Sequence, residues 1–267
     1  MNKKSHNPPS PAELIAAGDR AFDAGNYRIA RQNYITAIES DPEASPPLLE
    51  KSAELARREK HSEAISFCTA YLDYHPLDAE AWKFKAARCL ALDLPREAEI
   101  CCRRAFQINP EDIENLLFIA YLEADKFQQY DRAIECYDQA LKIQPRNPDT
   151  LRLKGVALHN LQKFKEAISS YNKALKEDPN DPRIWKDKGD SYNCLALNRK
   201  AVSCYKKAVD LSPRDPALWH ILALTLDDMD RRQEALEAYR QVIELAGPGD
   251  RELIDHARLA LSEIAPG

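Results

Sequence analysis

Glycine is scarce in this chain of 267 residues: there are 7, against 17 prolines. Phosphate-cradling loops need clustered glycines. Neither GxGxxG nor GxxxxGK[ST] occurs, so nucleotide-binding enzymes of those two designs are excluded. Long apolar runs are missing as well. The longest, Leu116 to Leu122, is far too short to cross a bilayer. The opening MNKKSHNPPSPAEL is charged but no apolar stretch follows it, so it does not read as a secretory signal, and neither end carries a lipidation motif. No membrane association is expected. Charge of one sign is not in excess either. The 38 Lys+Arg face 43 Asp+Glu, a net charge of -5, which opposes a large phosphate-binding surface and hence nucleic acid as a partner.

Reactive side chains are few and scattered. The 7 cysteines are an odd number with no CxxC pair, and adjacent Cys101 and Cys102 point to different sides of a helix. That usage fits a reducing, cytoplasmic compartment, with cysteines serving as small apolar residues. The histidines are His6, His61, His75, His159, His220 and His256, and none stands at metal-ligand spacing from another His or a Cys. There is no GxSxG elbow and no Cys/His signature. The acidic residues are dispersed, as on solvated helix faces. No catalytic residue, cofactor or metal is therefore expected, and the chain does not read as an enzyme.

What the chain does contain is a repeat. An Ala followed four residues on by Tyr or Cys, and twelve on by Pro, recurs as Ala30-Tyr34-Pro42, Ala64-Cys68-Pro76, Ala98-Cys102-Pro110, Ala133-Tyr137-Pro145, Ala167-Tyr171-Pro179 and Ala201-Tyr205-Pro213. The series ends with Ala235, Tyr239 and Gly247-Pro248. The step is 34 residues except from Ala98 to Ala133, where it is 35, which places one inserted residue near Phe127-Gln128-Gln129. Upstream of each Ala, a bulky residue (Leu14, Leu48, Trp82, Leu116, Leu151, Trp185, Trp219) precedes by four a small one (Gly18, Ser52, Ala86, Ala120, Gly155, Gly189, Ala223). All three tryptophans belong to this set, which makes them packing residues expected to be mostly buried.

This pattern resembles the tetratricopeptide repeat (TPR) family, whose motif runs W-x2-L-G-x2-Y, then A-x3-F/Y, then P. The resemblance covers 11–249 as seven units: 11–44, 45–78, 79–112, 113–147, 148–181, 182–215 and 216–249. It implies an all-α, right-handed superhelical solenoid of seven helix hairpins, each a helix A followed by a helix B. The small residue of A and the Ala of B let the two axes approach closely. The family's Leu before the small residue is here Lys51, Lys85, Lys154 and Lys188, whose stems can lie on apolar surface. Tyr71 and Val242 replace the Ala that makes room for the next helix A, so those junctions are expected to be more open. Pro at each unit's end stops helix B. Asn147-Pro148, Asp181-Pro182 and Asp215-Pro216 restart the chain as N-cap and first helical residue, with Asp78 and Asp112 capping two further A helices. The segment 1–10, rich in Pro, Asn and Ser, is expected to be loosely packed. A last helix over about 251–264, within 250–267, carries the stripe Leu253, Ile254, Ala257, Leu261 and Ile264 and is read as a capping helix.

The resemblance also implies a concave groove lined by helix A, which holds an extended peptide or a helix of a partner protein. The inward positions pick out Leu49, Lys83, Phe84, Leu117, Phe118 and Tyr121 in units two to four, and Arg152, His159, Arg183, Lys186, Asn193 and His220 in units five to seven. The first group is apolar but for Lys83, and the second is a cationic half with Asp187 and Asp190 among its residues, which suggests a partner segment with apolar anchors and an acidic flank. The subclass that grips chaperone tails needs Lys at the fifth and Asn at the ninth position of one unit. No unit has Asn at the ninth: Lys83 is followed by Ala87, and Lys186 by Asp190. The carboxylate clamp is missing. The expectation is a non-catalytic interaction scaffold. Single-stranded RNA binding, or an accessory place in a larger enzyme or envelope-assembly complex, are the alternatives.

Overall fold

The computed structural model describes residues 8–44, 46–247 and 249–264. Most of the N-terminal segment expected to be loosely packed, and Pro248, lie outside the described residues. Among those residues the chain is helical throughout and has no strand. The helices are α1 (Pro11–Asp23), α2 (Tyr27–Ser40), α3 (Leu48–Arg57), α4 (His61–Tyr74), α5 (Ala79–Ala91), α6 (Pro95–Ile108), α7 (Ile113–Tyr121), α8 (Tyr130–Ile143), α9 (Pro148–Asn160), α10 (Phe164–Glu177), α11 (Pro182–Cys194), α12 (Asn198–Leu211), α13 (Pro216–Asp227), α14 (Arg232–Leu245) and α15 (Arg251–Ile264). A π-helical turn, Leu122–Lys126, follows α7. The chain forms two compact units, 1–122 and 123–267. The first packs the hairpins α1/α2, α3/α4 and α5/α6 with α7. The second contains α8, the hairpins α9/α10, α11/α12 and α13/α14, and α15.

The A helices begin where the capping residues stand. Asp78 accepts from the Ala81 amide at 2.9 Å, Asp112 from Asn115 at 3.0 Å, Asn147 from Thr150 at 2.8 Å, Asp181 from Arg183 at 2.8 Å and Asp215 from Ala217 at 2.9 Å. Each satisfies an amide that has no partner inside its helix. The B helices lack such side-chain caps. They are entered instead through a turn in which one residue is left-handed: Gly25, Glu59, Asp93, Gln128, Gln162, Ala196 and Asp230, with φ between 54° and 77°. These seven residues keep the repeat spacing, and only the first is the glycine that this backbone prefers.

The single long repeat is accommodated just upstream of where the sequence placed it. In the other units the amide after the left-handed residue reaches back five residues, as Lys60 to the Leu55 carbonyl (2.9 Å) and Leu197 to Tyr192 (2.9 Å). In the fourth unit Gln129 reaches back six, to Glu123 (2.7 Å). The extra residue has become the π turn at 122–126, and Gln128 keeps the left-handed place.

The hairpin cores follow the small-and-bulky pairing. A Cβ on Gly18, Gly155 or Gly189 would run into the ring of Tyr34, Tyr171 or Tyr205, so glycine here is required by close approach. Where the second unit has Cys68 and the third Cys102 in place of Tyr, the partner is Ser52 or Ala86. Tyr34, Tyr171, Tyr205 and Tyr239 are fully enclosed, each burial contributing about 1.5–3 kcal/mol. The tryptophans are partly covered, and each indole N–H donates at 2.9 Å to the carbonyl of the proline ending the preceding helix B: Trp82 to Pro76, Trp185 to Pro179, Trp219 to Pro213. The lysines in the motif behave as their stems allow. Lys51 Nζ lies 4.4 Å from the Phe22 ring centroid, Lys85 5.3 Å from Trp82 and Lys188 4.9 Å from Trp185, while Lys154 pairs with Asp138.

The helix α15 continues the register of an A helix. Leu253 and Ala257 stand 34 residues after Trp219 and Ala223. Ala257 and Ala260 are buried in the cluster that holds Tyr239 and Val242, and Leu253, Leu261 and Ile264 pack on it. Val242 is itself fully buried, so the more open junction expected there does not exist. Its larger side chain shares a cluster with two alanines, which take little room. At the other such junction Tyr71 is only partly buried, stacks on His75 at 4.4 Å and donates to Asp78 at 2.9 Å.

Candidate functional site

The expected groove residues divide between the compact units 1–122 and 123–267, a set in each. On the first, helix α3 presents Leu49, α5 Lys83 and Phe84, and α7 Leu117, Phe118 and Tyr121. Leu49 and Phe84 lean on the buried cluster of Cys68, Leu72 and Ala81, and the Arg88 guanidinium lies 5.0 Å over the Phe84 ring. These two side chains are therefore partly spent on packing. Lys83 is tied down at 2.7 Å to both Glu80 and Asp112. Leu117 and Phe118 are half-buried, and Tyr121, 41% exposed, stacks on Phe118 with centroids 6.1 Å apart. The face is apolar and aromatic, and its one predicted cation is paired.

The second face departs from the expectation of a cationic surface. Arg152 on α9 reaches Asp187 on α11 at 2.9 Å. Lys186 meets Asp190 at 2.8 Å, and Arg183 meets Asp181 at 2.6 Å and Asp149 at 3.1 Å. Asp190 also accepts from the Tyr205 hydroxyl at 2.8 Å. Burial pushes the Asp187 carboxyl above the usual carboxylate range, against the pull of Arg152. Burial likewise lowers Lys186, but the Asp190 carboxylate outweighs it and holds the ammonium above its ordinary value. Every arginine or lysine named for this face thus has its countercharge at hand. His159 contacts the Ser191 hydroxyl at 2.8 Å and meets the Phe164 ring edge-on at 5.1 Å. Asn193 is exposed on α11.

His220 is the exception to the charge pairing: its Nε2 lies 3.1 Å from Nδ1 of His256 on α15. His256 was not among the residues expected here. The signal that would have found it is the 34-residue spacing of Leu253 and Ala257, which makes α15 a further A helix facing α13. Nearby, the Tyr239 hydroxyl is buried and finds no acceptor, because Leu224 stands where Asp19 and Asp190 serve Tyr34 and Tyr205.

No group of three or more potential ligand side chains that could hold a metal occurs among the described residues. Six of the seven cysteines are buried and Cys194 is exposed. Burial pushes the Cys68 and Cys102 thiols up to about 12, where they behave as small apolar groups. No helix among the described residues is long and apolar enough to cross a membrane.

Comparison with known proteins agrees with this architecture. Tetratricopeptide repeat models match residues 15–73 and 122–182, and a second such model matches 216–247, together more than half of the chain. A curated relative, Hsp70-Hsp90 organizing protein 1 of Glycine max, is 26% identical over 111 residues, 42% of this chain. The match spans only 19% of that relative's length. Among solved structures, MamA (residue 41 to the end) from Desulfovibrio magneticus RS-1 is 25% identical, with a TM-score of 0.58 over 62% of this chain and 94% of that one. YrrB, a TPR protein with an unusual peptide-binding site, shares 20% identity at a TM-score of 0.56, over 67% of this chain and 91% of its own. PilW, a type IV pilus biogenesis factor, shares 17% at 0.60, over 74% and 91%. The last two likenesses concern the fold alone. With the recurring motif, the hairpin packing it produces and these matches, the chain belongs to the tetratricopeptide repeat family.

Proposed function

We propose that the protein is a non-catalytic, cytoplasmic interaction scaffold that takes an extended peptide or a helix of a partner protein against its A-helix faces. The observation that carries this is the face of the compact unit 1–122, where Leu117, Phe118 and Tyr121 remain partly uncovered although they stand on α7, whose other side is buried. Partly exposed aromatic and aliphatic side chains grouped on a rigid element are the usual source of affinity in an interface. The partner is recognised through apolar anchors. An acidic flank adds little, because it would have to displace the carboxylates already bound to Arg152, Arg183 and Lys186. Chaperone-tail binding of the kind the soybean relative's name suggests is not carried over, since the clamp's Asn is absent from every ninth position.

Affinity capture with quantitative mass spectrometry tests the proposal, comparing the wild type with Leu117→Glu and with the exposed Tyr121→Ala. Partners should be depleted about tenfold or more in the first and several-fold in the second, with helical circular dichroism unchanged. Retention in 0.5 M salt should be within about threefold of that in dilute buffer, as for apolar anchoring. Partners captured equally by all three proteins would overturn the assignment of this face.

A further inference from the structure

At three of the A helices the side chain at the fifth position crosses to the next A helix or its N-cap, whereas Lys186 bonds Asp190 within its own helix. Lys83 on α5 reaches Asp112, the N-cap of α7. Arg152 on α9 reaches Asp187 on α11. His220 on α13 reaches His256 on α15 at 3.1 Å, with the rings edge-on and their centroids 5.0 Å apart. The first two crossings are cation to carboxylate and hold over a wide pH range. The last joins two groups of the same kind, and it holds only while one ring offers a lone pair to the other's N–H.

We propose that the His220–His256 contact is a proton-operated clasp that docks α15 on α13 and α14 at neutral pH and releases it on acidification. With one proton removed from the pair, a neutral nitrogen accepts from its neighbour. With both rings fully protonated, two cations face each other at contact distance and no acceptor remains. The ring packed against both histidines carries no charge. Tyr239 of α14 lies 6.4 Å from both rings by centroid and is a neutral phenol. Asp227 and Asp228 at the C-terminal end of α13 act on Tyr239. On α15 itself Glu252 stands one turn before His256 and Asp255 adjoins it. Burial, and then the neighbouring His256, hold His220 below the ordinary histidine value. The undocked state therefore binds more protons than the docked one, and docking is lost as the pH falls through and below the usual histidine range.

What the clasp holds down is small. The residues α15 buries fully are Ala257 and Ala260, with Leu253, Leu261 and Ile264 packed at the edge. A modest electrostatic change can decide such a contact, whereas the hairpin α11/α12, with Tyr205 enclosed, keeps its own packing.

Hydrogen exchange of α15 in the full chain, corrected for intrinsic rates, tests this at pH 7.5 and 5.0. In the wild type the protection of α15 should fall about tenfold or more on acidification, while α11 and α12 hold theirs. His256→Asp converts the contact into the cation–carboxylate form of the other crossings and should keep α15 protected at pH 5.0. His256→Gln should leave only the weaker acid response that burial of His220 gives, clearly below the fall seen in the wild type. Equal protection of wild-type α15 at both pH values, or an undiminished acid response in His256→Gln, would overturn the proposal.

Discussion

At the scale of single residues, the cost of each unit is concentrated at a few backbone and contact positions. Ala196 sits at φ 54° in a turn whose equivalent in the first unit is Gly25. A Cβ in the left-handed region costs roughly 1–2 kcal/mol, and glycine's greater freedom in the unfolded chain returns part of that. Ala196→Gly should therefore raise unfolding stability by about 1 kcal/mol, seen as a higher urea midpoint at unchanged slope. An unchanged or lower midpoint would show that the turn carries no strain. Trp185 combines partial burial with a hydrogen bond to the Pro179 carbonyl. Trp185→Ala removes both, and a loss of about 3 kcal/mol is expected from equilibrium unfolding, near the lower end for large aromatics because the ring is not fully enclosed. A loss under about 1 kcal/mol would mean that the indole only covers surface.

At the scale of helices, the chain relies on caps at the A helices and on left-handed turns at the B helices. Asp112 does two jobs: it caps α7 and it receives Lys83 from α5. Partial burial pushes its carboxyl up, but the Lys83 ammonium and the Asn115 and Glu114 amides outweigh this and hold it below the usual carboxylate range. A carboxyl depressed in the folded state contributes stability that is present above its unfolded value and is lost as the pH falls through its folded one. Asp112→Ala should cost about 1 kcal/mol at pH 7, and the difference from wild type should shrink as the pH falls through the acid range. Thermal melts across pH 2–7 would measure it, and a difference constant with pH would remove the charge from the explanation. The caps were legible because Asp-Pro and Asn-Pro are local signals. The left-handed turn residues were not, because six of the seven are not glycine and only the backbone path reveals them. The inserted residue was located from spacing to within a few positions, and packing decided that it would widen the end of α7 into a π turn.

At the scale of the molecule, a repeat array buries each hairpin against its neighbours, so its last layer depends on what covers it. Here α15 covers the cluster of Tyr239 and Val242. Deleting 251–267 should lower the thermal midpoint and promote self-association at tens of micromolar or above, followed by light scattering, as expected when an apolar layer is bared. A truncated protein that stays monomeric and equally stable would refute the capping role. The electrostatics at this scale also differ from the linear impression. Arg152, Arg183 and Lys186 read along the chain as a cationic run of one face, but in space each is neutralised by a carboxylate.

The sequence by itself determined the fold class, the helix positions and the identity of the packing residues. Each of these rests on short-range physics: a 34-residue period, small residues where axes cross, prolines that stop helices and acids that cap them. Only the tertiary structure decided which partly exposed side chains stay available and which are used up. Phe84 is half spent on the core, Tyr121 is 41% exposed while stacked on Phe118, and His220 found a partner 36 residues away. Those outcomes depend on contacts of a few ångströms between side chains of successive A helices, and spacing along the chain places two residues on facing helices without choosing the rotamers that make them touch.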